Sequence, residues 1–383
     1  MLKRDDNMKT VKLLHCADIH IGAAESFLGD SAAKRRFETL LTFEKIMDIA
    51  LSSKVDIVAV AGDLFDSNTI EERFIEAVFS KISAISPIKV VFSAGNHDPL
   101  NTESPFLRDN LPENLYVLGP KDECIPFENI GVNIYGRSFE NSFLKGETAF
   151  TLPVRADRIN ILVQHGDLCH DLNSDYNAIT PQFVKESTMD YIALGHKHTH
   201  TEIGRIDNTF FAYSGCPEGQ GFDETDSKGI YIGEIGKGYC NLQFIPISKR
   251  LHIHEKIDIT GLCDNGEISS YILESLAKDY GGGFSENLYK IELTGDISPD
   301  FQLLLAEIES RLSAELYFVK LKDSTEFKID YISLSNEKSL KGIFVKKMLE
   351  KQQTASDEQK EILKQALKLG IKAFMGEVKY DED

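Results

Sequence analysis

The stretch Val90-Val91-Phe92-Ser93-Ala94-Gly95-Asn96-His97-Asp98-Pro99 decides how this chain is read. Its first residues are apolar and partly β-branched, as a core strand requires, and Gly95 permits a tight turn at the strand's end. An amide, an imidazole and a carboxylate follow at once. Asn96 offers a neutral oxygen to a cation, His97 can bind or carry a proton, and Asp98 can orient a neighbour. Alone, Asn-His-Asp means little. The chain, however, repeats the pattern of buried strand, turn and polar cluster four more times.

Toward the N-terminus, Asp56-Ile57-Val58-Ala59-Val60-Ala61-Gly62-Asp63 is a near-continuous apolar run, as a sheet covered on both faces needs. It ends in Gly62-Asp63-Leu64-Phe65-Asp66, and a carboxylate just past a buried strand stands where open α/β sheets collect ligand groups. Earlier still, residues 11–20 form a strand ending in Asp18-Ile19-His20. Residues two apart share a face in extended backbone, so this pair can converge on one ion. His15, inside that strand, reads as a core histidine. Helices are predicted over 32–52 and 69–83. The resulting strand–helix rhythm implies right-handed crossovers and a mainly parallel sheet with three clusters on one edge.

Toward the C-terminus, residues 105–150 read as short strands, among them 132–135. Residues 158–166 then repeat strand, histidine and glycine, ending in His165-Gly166, and residues 191–198 end in His196-Lys197-His198. His200 continues that alternation without being distinguishable from a surface histidine. Strands over 211–216 and 229–235 flank a Gly- and acid-rich loop, 217–228. Asp18, His20, Asp63, Asn96, His165, His196 and His198 are too many ligands for one ion. They suit two ions sharing a carboxylate, an arrangement fit for splitting a phosphate ester. Mixed nitrogen and oxygen donors favour Mn, Fe or Zn over Ca or Mg.

Composition sets bounds on these readings. The 383 residues leave room for two domains, and 42% hydrophobic with 27% charged content is that of an ordinary soluble protein. No apolar run is long enough to span a bilayer and no secretory pattern opens the chain, so no membrane partner is expected. The six cysteines (Cys16, Cys124, Cys169, Cys216, Cys240, Cys263) form no CxxC pair, which argues for a reducing cytoplasm. A net charge of −19 opposes the coating of nucleic acid. Only a local basic patch, metal ions or a partner would bring a phosphate backbone close; otherwise the acidity serves solubility.

In order, D-x-H, G-D-x-x-D, G-N-H-D, H and G-H-x-H resemble the signature of the calcineurin-like metallophosphoesterases. The wording of residues 14–22, 62–66 and 95–98 is similar to the DNA-repair exonuclease branch, which includes SbcD and the YhaO-type proteins. Residues 214–223, Ser-Gly-Cys-Pro-Glu-Gly-Gln-Gly-Phe-Asp, are similar to a loop of the latter. The resemblance covers roughly residues 11–250. It implies an α/β fold, a two-sheet metallophosphoesterase sandwich flanked by helices over 8–250. A small α+β capping domain over 251–335 and C-terminal helices in a tail over 336–383 would follow. It further implies one divalent ion on Asp18, His20 and His198 and a second on Asn96, His165 and His196, with Asp63 bridging and Mn2+ the expected metal. His97 would stabilise the transition state or protonate the leaving sugar oxygen. Archaeal relatives carry a histidine three residues after the bridging aspartate, where this chain has Asp66. The expectation here is that Asp66 or Asp98 hydrogen-bonds His97.

Beyond about residue 250 the metal motifs cease. Strands are predicted at 251–260, 288–293, 315–321 and 326–332, helices at 267–280 and 299–314, and a turn at 281–283. Two amphipathic helices end the chain. The first covers 340–351; the second follows a capping box at Ser356 and Gln359 and carries Leu363, Leu367, Ile371 and Phe374 as one stripe. Either they fold onto their own cap or they dock on a partner, which by resemblance is a coiled-coil SbcC-like ATPase. The leading function is a two-metal nuclease acting on DNA ends, as part of a repair complex and as a homodimer. A small-nucleotide phosphoesterase and a DNA-end-binding scaffold with weak catalysis are the alternatives. Asn96-His97-Asp98, where phosphoprotein phosphatases usually read Asn-His-Glu, counts against a phosphoprotein substrate.

Overall fold

The computed structural model describes residues 8–23, 25–147, 152–170, 174–298, 301–327 and 330–375. One six-stranded sheet joins β1 (Thr10–Cys16), β2 (Ile57–Val60), β3 (Lys89–Phe92), β4 (Leu115–Val117), β13 (Gly229–Gly236) and β14 (Tyr239–Pro246), in the order β14-β13-β1-β2-β3-β4. A second joins β5 (Glu123–Phe127), β6 (Val132–Gly136), β8 (Ile159–His165), β10 (Tyr191–Gly195), β11 (Gly204–Ile206) and β12 (Thr209–Tyr213), in the order β11-β12-β10-β8-β6-β5. Strands β1 to β4 are parallel, as the crossover rhythm predicts, but β13 and β14 add antiparallel pairing. Small pairs complete this part: β7 (Leu144–Glu147) lies along β9 (Tyr176–Ala178).

Alternation within β2 explains its all-apolar sequence. Ile57, Ala59 and Ala61 pack with Val11, Leu13 and Val91 against Ile134, Ile161, Val163 and Ala193 of the opposing sheet. Val58 and Val60 face the other way, onto α1 (Ala32–Ser53) and α2 (Glu72–Ala84) through Phe43, Ile46, Met47, Phe74 and Val78. The far side of the second sheet is covered by Phe183 and Val184 of α3 (Pro181–Glu186). The layers therefore run helix, sheet, sheet, helix, the sandwich expected from the sequence. A strand buried on both faces has no solvent side to mark with polar residues.

Residues after Arg250 build a separate core. Strands β15 (His252–Asp258), β16 (Leu288–Thr294) and β18 (Phe318–Asp323) form a parallel sheet, covered on one face by α4 (Asn265–Tyr280) and α5 (Leu305–Leu312). Short β17 (Asp296–Ile297) pairs with β19 (Glu326–Phe327). The expected strand over 326–332 is corrected here. Only Glu326–Phe327 is strand, residues 328–329 lie outside the described residues, and α6 (Tyr331–Ser335) begins at an Asp330 cap that accepts from the Ile332 and Ser333 amides. Part of the helix expected over 299–314 likewise lies outside the described residues, and α5 begins only at Leu305.

The tail helices are α7 (Leu340–Gln353) and α8 (Asp357–Met375). The capping box forms: the Ser356 amide donates to Gln359 Oε1 and the Gln359 amide to Ser356 Oγ. Val345, Leu367 and Ile371 are buried together, packed by Tyr331, Leu334 and Phe344. Thus α6, α7 and α8 share a small core of their own, distinct from the core of the β15–β16–β18 layer. No helix among the described residues is long and apolar enough to cross a membrane.

Candidate metal centre

Parallel strands put their C-terminal ends on one edge, and the two sheets are stitched together there. The Asp18 amide donates to Gly62 O and the His20 amide to Asp63 O, both at 3.0 Å. Across the sandwich, the His196 amide donates to both Asp18 carboxylate oxygens at 3.0 Å. His165 Nδ1 donates to Ala61 O at 2.9 Å. Glycine makes this closeness possible. A Cβ on Gly95 would lie 2.2 Å from Asp63 Oδ1, and one on Gly62, whose φ is +93°, would lie 2.3 Å from His165 Nδ1. Asp18, His20, Asp63 and His196 all have positive φ, at 53°, 49°, 51° and 105°. Non-glycine residues held there cost on the order of 1–3 kcal/mol each, strain that concentrates at functional sites.

The described geometry brings six of the seven expected ligands into one group, four of them buried and Asn96 and His198 half-buried. His20 Nε2 faces His198 Nε2 at 3.1 Å. Asp63 Oδ2 stands between the two halves, 3.8 Å from His20 Nε2 and 3.4 Å from His165 Nε2. Asn96 turns Oδ1 to His165 Nε2 at 2.9 Å. Ligand atoms of Asp18, His20 and His198, and those of Asp18, Asp63 and His165, lie within 4.8 Å of one another. The seventh, His196, sits alongside: its ring centroid is 5.2 Å from that of His165, and its Nε2 is 3.6 Å from Asp167.

These contacts pair acceptors with acceptors. His165 spends its Nδ1 proton on Ala61 O, so its Nε2 presents a lone pair to two oxygens. His20 Nδ1 is 3.2 Å from Asp66 Oδ1 and His198 Nδ1 is 2.5 Å from Glu224 Oε1. Both rings therefore aim lone pairs at each other from Nε2. Only a proton or a cation between them removes the repulsion. Burial lowers the His198 pKa, but the Glu224 hydrogen bond and the Asp18 charge outweigh it and hold the ring up to about 9. His20 is likewise raised, Asp66 and Asp63 overcoming its burial. A cluster that must fill itself with protons fits divalent cations, and a carboxylate behind each histidine is the usual support for a ligating imidazole.

The expected bond from Asp66 or Asp98 to His97 is made by the Asp66 backbone and by neither carboxylate. The Asp66 carboxylate bonds His20, and His97 Nδ1 is held instead by the Asp66 backbone carbonyl at 3.1 Å, with Oδ1 3.9 Å away. The Asp98 carboxylate makes no hydrogen bond to the His97 ring. Its buried carboxylate accepts the amides of Leu64, Gly95, Phe65 and Asp63 at 2.7, 2.8, 3.1 and 3.2 Å. It pins the two loops together, which four convergent amide donors require. His97 itself is 44% exposed, and its own amide donates to Asp63 Oδ1 at 2.9 Å. His15 is the core histidine expected, with Tyr191 Oη and Leu194 O as partners and a pKa lowered to about 3 by burial. Glu224 was not foreseen. The sequence marks its loop only as Gly- and acid-rich, and no spacing says which carboxylate turns inward.

Residues 11–200 match the model of the calcineurin-like phosphoesterase family. The chain is 25% identical over 308 residues to a DNA double-strand break repair protein Mre11 of Methanopyrus kandleri, covering 72% of this chain and 66% of that protein. It is 27% identical over 263 residues to the uncharacterized metallophosphoesterase YhaO of Bacillus subtilis, covering 64% and 63%. A Saccharolobus solfataricus Mre11 is 22% identical over 369 residues, covering 92% and 93%. The chain thus spans just under two thirds of the first two relatives and nearly all of the third. All seven expected ligands and His97 fall inside the matched segment, whereas Glu224 lies beyond it. Residues 11–200 are thus a calcineurin-like metallophosphoesterase domain, a metal-dependent phosphate-ester hydrolase, and the relatives this chain resembles are Mre11 and YhaO proteins.

Proposed function

We propose that this chain is a two-metal nuclease that hydrolyses phosphodiester bonds at DNA ends. The observation that carries the reading is the convergence of lone pairs in the metal centre, divided in two by Asp63. One ion would sit with Asp18, His20 and His198, the other with Asn96, His165 and His196, and Asp63 would serve both. Such ions, Mn, Fe or Zn by the mixed donor set and Mn2+ by the resemblance, would polarise the phosphate and activate the attacking water. The chain's own residues do the rest. Asp66 and Glu224 hold the His20 and His198 rings by Nδ1, and Asn96 is held by the turn that Asp98 staples. His97 donates Nδ1–H to Asp66 O and, with its side chain 44% exposed beside His20 and Asp63, would use its charged form to protonate the leaving sugar oxygen.

Charge supports a polyanionic substrate despite the net −19. The face of the β15–β16–β18 sheet that carries no helix bears His254, Lys290 and Lys320 in one row. Lys256 and Lys322 flank Glu292 in the next, at 3.0 and 3.1 Å from it. Those lysines are 63–75% exposed where they pair. A local basic patch is one of the features that would bring a phosphate backbone close, and we assign to this layer, about 251–335, the role of a cap presenting DNA to the centre. The tail, about 336–383, leaves Leu340, Ile343, Ile362 and Leu369 exposed while α6, α7 and α8 pack on each other. That supports docking on a partner, a coiled-coil ATPase by the relatives' branch. A small-nucleotide esterase is the second reading, favoured by the overall acidity.

The test is manganese-dependent hydrolysis of a labelled DNA duplex and of bis-p-nitrophenyl phosphate. His97→Ala should lower DNA cleavage by roughly a hundredfold or more. Lys290→Glu with Lys320→Glu should weaken DNA cleavage, flatten its salt dependence and leave the small ester unaffected. Hydrolysis of the small ester without any attack on DNA, by the full chain with or without a partner, would sink the nuclease reading.

A further inference from the structure

Glu224 aims at His198 from a loop that cannot aim it alone. Residues 216–228 include Gly219 and Gly221, which leave the backbone free to wander. The loop is held from outside at three places. At its start, Arg35 Nη1 donates to Glu218 Oε2 at 2.9 Å and Arg35 Nη2 to Gly219 O at 2.8 Å. Glu218 Oε1 also accepts from Thr42 and the Lys249 amide at 2.6 and 2.7 Å. At its end, Lys228 Nζ donates to His198 O at 2.9 Å and pairs with Asp226 at 2.7 Å. In the middle, Phe222 sits among rings of the β15–β16–β18 layer. Its centroid is 5.2 Å from His252, 5.5 Å from His254 and 6.1 Å from Phe318, with Phe27 of the phosphoesterase part at 5.8 Å. His254 Nε2 also donates to Phe222 O at 2.9 Å.

We infer that residues 216–228 are a strut through which the seating of that layer sets the metal centre. Phe222, gripped by β15 and β18, is a positioning residue that holds Glu224 on His198. The contact chain is continuous: His254 and Phe318 to Phe222, two residues on to Glu224, then 2.5 Å to His198 Nδ1. Glu224 Oε2 is fixed within the loop by the Gln220 amide at 3.1 Å and Cys216 Sγ at 3.2 Å, so the loop moves as a unit with its carboxylate. His198 belongs to one half of the centre only. Asn96 and His165 take their support from β3, β8 and Ala61. A shift of the layer should therefore weaken one ion and spare the other. Carboxylates behind ligating histidines are worth about 10- to 100-fold in metal affinity.

This inference rests on the two-ion reading above, and one experiment tests both separately. Full-length metal-free protein is titrated calorimetrically with Mn2+, with circular dichroism to check each variant's fold. Wild type should bind two ions. Glu224→Gln and Phe222→Ala should each weaken the same one of the two by about tenfold or more, while Phe222→Tyr restores it. In a His20→Ala background, which retains only the other site, Phe222→Ala should change nothing. Unaltered affinities in a folded Phe222→Ala variant, with one weakened in Glu224→Gln, would overturn the strut alone. Failure of wild type to bind any second ion would overturn the two-ion reading as well.

Discussion

Among the described residues, two of the buried groups of charged and polar side chains are built on opposite principles. One is the metal centre. The other lies where α1 meets the root of β15: Arg35, Glu25, Glu38, Glu218 and Arg250, each at most 6% exposed. There every cation meets an anion. Arg250 grips Glu38 with two bonds of 2.8 and 2.7 Å and reaches Glu286 Oε2 at 2.8 Å, while Arg35 divides itself among Glu25, Glu218 and Glu38. The Arg250 guanidinium also lies over the Tyr317 ring, 3.4 Å from its centroid. This cluster is closed by its own ion pairs, with Glu25 Oε2 alone left without a hydrogen bond, 3.5 Å from His252 Nε2. The metal centre faces lone pair to lone pair and is open to a cation. Burial of charge is therefore no mark of function by itself; what decides is whether the buried groups satisfy one another.

Breaking the closed cluster should have the largest effect. Arg250→Met removes both of its bonds to the Glu38 carboxylate, leaving it Lys249 and a 3.4 Å contact to Arg35. It should cost about 3 kcal/mol in chemical denaturation, whereas Glu38→Met with Arg250→Met together should recover most of it. A single variant that unfolds no more easily than wild type would erase the contrast. Acid sharpens it. Burial would raise the Glu38 pKa, but Arg250 and Lys249 more than offset this and bring it to about 2. A carboxylate lowered in the fold gives stability that is present above its unfolded pKa and lost as pH falls through its folded one. Stability should therefore drop between about pH 4.5 and 2, by on the order of 3 kcal/mol, and Arg250→Met should flatten that slope.

The open cluster should respond to metal instead. At a hundredfold excess over Kd, Mn2+ should stabilise wild type by about 2.7 kcal/mol per ion, read as a rise in Tm. Asp63→Asn should lose that gain and lower turnover by roughly a thousandfold, yet be no less stable than wild type without metal. A metal-free Asp63→Asn protein that is strongly destabilised would make the centre another structural network.

The sequence by itself determined the sandwich and the polar residues at its strand ends. Strands buried on both faces must be apolar throughout, so polar residues can appear only at their ends. Parallel strands put those ends on one edge, which is why Asp18, Asp63, Asn96, His165 and His198 were legible one motif at a time. Tertiary structure alone decided the supports. Asp66 could turn to either His20 or His97, and in the folded turn, with His20 at a φ of 49°, the His20 Nδ1 stands 3.2 Å from that carboxylate. Asp98 lies beside His97 in sequence but is drawn to four amides in a turn that no spacing encodes. Glu224 and Phe222 sit in a loop without periodicity, so their contacts exist only once α1 and the β15–β16–β18 layer close on it. Periodic burial leaves a trace in sequence; a side chain's choice among nearby partners is made by distances that only the folded chain sets.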